Sequence, residues 1–126
     1  MLFTMDTHYE NYLETLEGKK LPVVHCQKGT KGWELCPEIA AFEGTRFEKP
    51  SFASLELGRY VGGKEYESVE LAGLCTDICV ISNAMLMKAV LPGTPVKVDS
   101  SCCAGVTPES HKNALEAMKM CQIDVI

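Results

Sequence analysis

Apolar positions are spaced in two different ways along the chain, and the break between them falls near residue 68. Beyond it the pattern is regular. Residues 68–74 (SVELAGL) read as a buried strand. Thr76 then offers an N-cap to an almost wholly apolar helix running to about Val90. Leu91-Pro92-Gly93 stops that helix, and residues 95–98 make the next strand. Thr107 caps and Pro108 opens a helix to about Met120, with Ala114, Leu115, Met118 and Cys121 on its inner stripe. Residues 123–126 form a last strand. Apolar strands alternating with helices predict an α/β fold, a three-layer parallel sheet with helices on both faces.

The first half is less regular. Residues 2–5 (LFTM) are an apolar run suited to a strand, closed by Asp6-Thr7-His8. Between residues 9 and 45 no period holds. Residues 10–16 allow a helical turn, and Gly18, Pro22, Gly29, Gly32, Pro37 and Gly44 punctuate the rest. An irregular stretch that long inside a compact domain usually walls or covers a site. Residues 46–49 read as a second short strand stopped by Pro50, residues 51–60 as weakly helical, and residues 61–64 as a turn.

At 126 residues a single domain, 1–126, is the expectation. Hydrophobic residues make up 46% and charged residues 23%, which excludes a disordered chain. Twelve Lys and Arg against 17 Asp and Glu leave a net charge of −5, which argues against a nucleic-acid surface. No run approaches the ~18 apolar residues of a membrane span, and MLFTMDTHYE lacks the features of a signal peptide. A cytoplasmic chain acting on a small molecule, with no nucleic-acid or membrane partner and a homo-oligomer left open, is expected. The seven cysteines form no CxxC pair, so neither a zinc ribbon nor a thioredoxin-type motif fits. Most are expected to be small buried residues, with one or two carrying chemistry.

In open parallel sheets the site lies beyond the carboxyl ends of the strands. There the first strand delivers Asp6 and His8, the second Lys49, and the third Cys75 to Cys79. With Thr76 as cap, Cys79 sits in the first helical turn, where backbone N–H groups and the macrodipole favour a thiolate. A nearby lysine would favour it further. The competing reading, a buried structural cysteine, weighs about equally on position alone. Asp6 and His8 share a strand face, and His25 is a third donor that would complete a nitrogen–oxygen metal site. The alternative is that Asp6 caps a turn and each histidine is a surface residue. His111 is expected on a solvent-facing helix surface and receives no role. Trp33 either lines the site or covers the core.

At Gly73-Leu74-Cys75-Thr76-Asp77-Ile78-Cys79-Val80 the chain resembles the cysteine-hydrolase superfamily of isochorismatases and nicotinamidases. The resemblance continues through Phe3 to His8, His25 to Gly32, Glu48-Lys49-Pro50 and Asp99 to Cys102, in the family's order. It implies Cys79 as nucleophile, Lys49 as catalytic lysine, and an oxyanion hole from the backbone N–H groups of Cys75 and Cys79. A cis peptide is implied at Leu74–Cys75. Asp6, His8 and His25 would hold a divalent metal, zinc first among the candidates, and nicotinamide hydrolysis to nicotinate and ammonia through a Cys79 thioester is the implied reaction. The family's sheet begins one strand and one helix earlier, with a catalytic aspartate. The chain is therefore expected to be an N-terminally truncated copy, with two strands lacking a neighbour on one side. A metal-independent hydrolase of the same superfamily and an inactive remnant are the alternatives.

Overall fold

The computed structural model describes all residues, Met1–Ile126. The chain divides into two compact units, Met1–Ser54 and Leu55–Ile126.

In the first unit β1 (Leu2–Asp6) pairs in parallel with β2 (Thr45–Lys49), Leu2 opposite Thr45 and Asp6 opposite Lys49. Phe3, Met5 and Phe47 are buried, which follows from the period-two alternation of a strand. The long connection between the strands carries a 3₁₀ turn at Tyr12–Glu14 and two short helices, α1 (Leu16–Lys20) and α2 (Pro37–Ala40). Thr15 caps α1 by accepting from the Gly18 amide at 3.0 Å. Gly18 is required there, because a Cβ would lie 2.0 Å from the Tyr12 carbonyl oxygen.

The second unit holds α3 (Leu55–Val61), β3 (Val69–Leu74), a π-helical turn at Thr76–Val80, α4 (Ile81–Val90), β4 (Val96–Ala104), α5 (Pro108–Met120) and β5 (Asp124–Val125). The strands run parallel in the order β3-β4-β5. Leu57, Val61, Ala84, Met87, Val96, Val98, Met118 and Ile123 are buried apolar residues of this unit. Thr107 and Ser110 form a reciprocal capping box at the start of α5, as the Thr-Pro pair predicts for a helix start.

Several expectations need correction. The strands form a two-stranded and a three-stranded parallel sheet rather than one sheet; β1 and β3 each pair on one side only, as expected of two strands lacking a neighbour. For that reason β3 has no fully buried residue, although its composition reads as buried. β4 runs on to Ala104, six residues past the expected end. Between the Leu71–Val98 and Gly73–Cys103 pairs it advances five residues while β3 advances two, so the ladder resumes after a bulge. The helix cap is Cys75 rather than Thr76, whose side chain is turned inward and fully buried. None of the seven cysteines is fully buried, because they occupy loops and element ends. Cys121, expected on the inner stripe of α5, is exposed at its C-terminus.

Candidate active site and metal cluster

The expected site residues divide between the two units. The first unit brings Asp6, His8, His25 and Lys49 together, and the second carries Cys75 and Cys79.

His8 sits just past β1, where its amide donates to the Cys26 carbonyl (3.0 Å) and its carbonyl accepts from the Lys28 amide (2.9 Å). This one-residue parallel bridge draws the loop alongside and sets the His25 ring 4.7 Å from that of His8. Cys26, at φ 44°, makes the sharp bend that the approach requires. His25 Nδ1 lies 2.7 Å from the Val23 carbonyl. A carbonyl only accepts, so the proton is on Nδ1 and the Nε2 lone pair faces the cluster. Trp33 Nε1 donates to the buried Thr7 hydroxyl at 2.9 Å, and that hydroxyl donates to the Met5 carbonyl at 3.0 Å. Trp33 thus braces the residue between Asp6 and His8.

The two oxygens of Asp6 face different partners. Oδ1 accepts from Lys49 Nζ at 3.0 Å, while Oδ2 lies 3.3 Å from His8 Nε2 and 3.4 Å from His25 Nε2. The buried Lys49 ammonium also donates to the Ser51 carbonyl at 3.1 Å. A fourth donor escaped the sequence reading. Glu17 Oε1 lies 3.6 Å from His8 Nε2 and 3.9 Å from His25 Nε2. Its only sequence signal is an acidic residue two after a capping threonine, which fits an ordinary helix start equally well.

Ligand atoms of Asp6, His8, Glu17 and His25 all lie within 4.8 Å of one another. Two imidazoles and two carboxylates are a donor set that suits a divalent transition ion such as zinc. The fit has a physical test within the unit. His8 Nε2 is buried and makes no hydrogen bond, a costly arrangement that a bound cation relieves. Tyr12 packs its ring at 4.6 Å from His8 and 5.1 Å from His25, and its hydroxyl donates to the Leu21 carbonyl at 2.9 Å. Burial first, then the Glu17 and Asp6 carboxylates, push its phenol above the ordinary value, so it remains a donor.

In the second unit the Leu74–Cys75 peptide is cis, as the resemblance implies. The Cys75 carbonyl accepts from the amides of Ile78 (3.1 Å) and Val80 (3.0 Å), which winds Thr76–Val80 as a π turn. Cys79 lies within this turn, half-buried, and its carbonyl accepts from the Asn83 side chain at 2.8 Å. Burial, followed by the Asp77 and Cys79 charges, pushes the Cys75 thiol up. The Cys103 thiol is raised too, chiefly by burial. Both are therefore poor nucleophiles at neutral pH.

The turn is tied to α5 and to the loop ahead of it. Thr76 Oγ1 lies 2.8 Å from His111 Nδ1, and both carboxylate oxygens of Asp77 accept from the Val106 amide at 3.2 Å. Burial acts to raise Asp77, but the Ser110 side chain, the Val106 amide and the His111 ring outweigh it and hold the carboxyl below the usual range. The expectation that His111 merely faces solvent is therefore wrong. It is half-buried, drawn in by a buried hydroxyl 35 residues away.

This architecture is the isochorismatase-like fold. An isochorismatase-like hydrolase from Alkaliphilus metalliredigens superposes with a TM-score of 0.81 at 23% identity, covering 98% of this chain and 66% of that one. The nicotinamidase PncA from Bacillus subtilis gives 0.80 at 25% identity over 98% and 72% of the two chains. The pyrazinamidase of Pyrococcus horikoshii, solved in complex with zinc, gives 0.78 at 24% identity over 99% and 73%. An uncharacterized isochorismatase family protein PncA of Bacillus subtilis (strain 168) is 28% identical over 128 residues, 91% of this chain and 67% of that protein. The Isochorismatase domain matches residues 1–126, and the chain belongs to that family. It spans about two thirds of the length of these relatives.

Proposed function

We propose that the chain hydrolyses a small carboxamide, nicotinamide to nicotinate and ammonia, with Cys79 as nucleophile. The observation that carries this reading is the Asp6, His8, Glu17 and His25 cluster with the buried, unbonded His8 Nε2. Its support comes from the nicotinamidase whose structure this chain resembles at 25% identity.

A divalent ion, if bound, would be held by Asp6, His8, Glu17 and His25 and would supply Lewis-acid chemistry there. The chain's own groups do the rest. The Cys79 thiolate attacks the carboxamide carbon, and backbone N–H groups of Cys75 and Cys79 stabilise the oxyanion. The C–N bond breaks and the nitrogen leaves as ammonia, taking up the proton that the thiol released on ionising. Water then cleaves the thioester, releasing nicotinate and restoring the thiol. Lys49 Nζ donates to Asp6 Oδ1 at 3.0 Å and so orients that carboxylate.

The test is ammonia release from nicotinamide by the purified chain with added zinc, beside Cys79→Ala. Release that depends on Cys79 supports the reading. Release unchanged in Cys79→Ala overturns the nucleophile, and silence in both overturns hydrolysis of nicotinamide.

A further inference from the structure

We propose that His111 is a positioning residue for the nucleophile turn, acting through the buried hydroxyl of Thr76. The proposal rests on the reading of Cys79 as nucleophile, and it adds a residue from another element to that site.

Three observations converge. Thr76 is fully buried, yet its hydroxyl meets a ring nitrogen from α5 at 2.8 Å. The position of that ring is itself fixed. The His111 amide donates to the capping residue Thr107 at 2.9 Å, which places His111 in the first turn of a helix that a capping box secures. Gly105, ahead of α5, lies so close that a Cβ there would sit 2.8 Å from the His111 Cβ. Residue 105 must therefore lack a side chain for the backbone of α5 at residue 111 to come this close. Finally, the second tie, Asp77 to the Val106 amide, leaves from the adjacent residue of the turn and ends in the same loop. Cys79 follows three residues after Thr76, so a rotation of Thr76 reorients the thiol and the amides beside it. The His111 side chain is never in the reaction. It fixes the frame in which the thiol is presented.

His111→Phe keeps a ring and removes Nδ1, whereas His111→Asn retains a polar atom on Cγ in the place of Nδ1. Thr76→Val removes the other partner. The readouts are iodoacetamide alkylation of Cys79, followed by mass spectrometry and normalised to folded protein, and kcat and KM for nicotinamide. His111→Phe and Thr76→Val each lower both the alkylation rate and kcat by roughly 10-fold, with KM nearly unchanged. His111→Asn stays within about twofold of the parent, and the Phe/Val double variant loses no more than either single one. Equal loss in His111→Asn, or an alkylation rate in His111→Phe that matches the parent, overturns the proposal. If the parent releases no ammonia but the alkylation pattern holds, the nicotinamide reading fails and the positioning role stands.

Discussion

The two units reach a chemically capable arrangement by opposite routes. In the first, the Asp6, His8, Glu17 and His25 cluster is gathered from a strand end, a five-residue helix and a loop, and contacts distant in sequence hold it. In the second, the Thr76–Val80 turn that carries Cys79 is local. A single stretch from Cys75 to Asn83 supplies the cap, the winding and the bond to the Cys79 carbonyl, and α5 adds ties from outside. A local site survives most distant changes, whereas a gathered one depends on each segment that delivers a donor.

The largest expected effect separates chemistry from assembly. Cys79→Ala lowers ammonia release by roughly 10⁴-fold or more while zinc binding, measured by competition with a chromophoric chelator, stays unchanged. His8→Ala does the reverse first. It weakens zinc by about 100-fold or more and leaves Cys79 alkylation intact, and Glu17→Gln shows the same direction with a smaller loss, about 10-fold. Zinc at 100 times its Kd raises the stability of the parent by about 2.7 kcal/mol in urea unfolding, a gain that EDTA removes and His8→Ala lacks at the same zinc concentration. If zinc leaves the unfolding midpoint unmoved, the cluster is not a metal site.

Smaller effects probe the scaffolds. Gly18→Ala drives a methyl into the Tyr12 carbonyl and destabilises by about 1–3 kcal/mol, with loss of zinc affinity because Glu17 moves too. Thr107→Ala removes the α5 cap and costs about 1 kcal/mol by thermal unfolding without touching zinc. The smallest effect is a pH dependence. Asp77 is held below its unfolded value of roughly 3.9, so its contribution is present above that pH and is lost as pH falls through the lower folded value. Asp77→Asn therefore loses less stability than the parent between pH 6 and pH 3, and an equal loss in both would assign the acid sensitivity elsewhere.

What could be read from the sequence follows the same division. The order of strands and helices in residues 69–120 is legible in the spacing of apolar residues, and the helix from Pro108 ends where expected, whereas the end of β4 is not. Cys79 stood out from the other cysteines by its place after a strand. Asp6 and His8 were visible as a pair two residues apart. Glu17 and His111 were not visible, because each gains its role from a partner brought close by tertiary folding. A glutamate in a first helical turn and a histidine on a polar helix face have the same sequence signature with or without that partner. The break between the two sheets was not legible from apolar composition, which reports burial preference and not which neighbour supplies it; it followed only from the resemblance to a family whose first strand and helix are lacking here.

The one-sided pairing of β1 and β3 has a consequence that deuterium can read. In a parallel strand alternate residues direct their amides to opposite sides, so along Leu2–Asp6 and Val69–Leu74 every second amide has no ladder partner. Exchange along these two strands should therefore alternate, slow and fast by turns, while β4, paired on both sides over Lys97 and Val98, holds its protons evenly there.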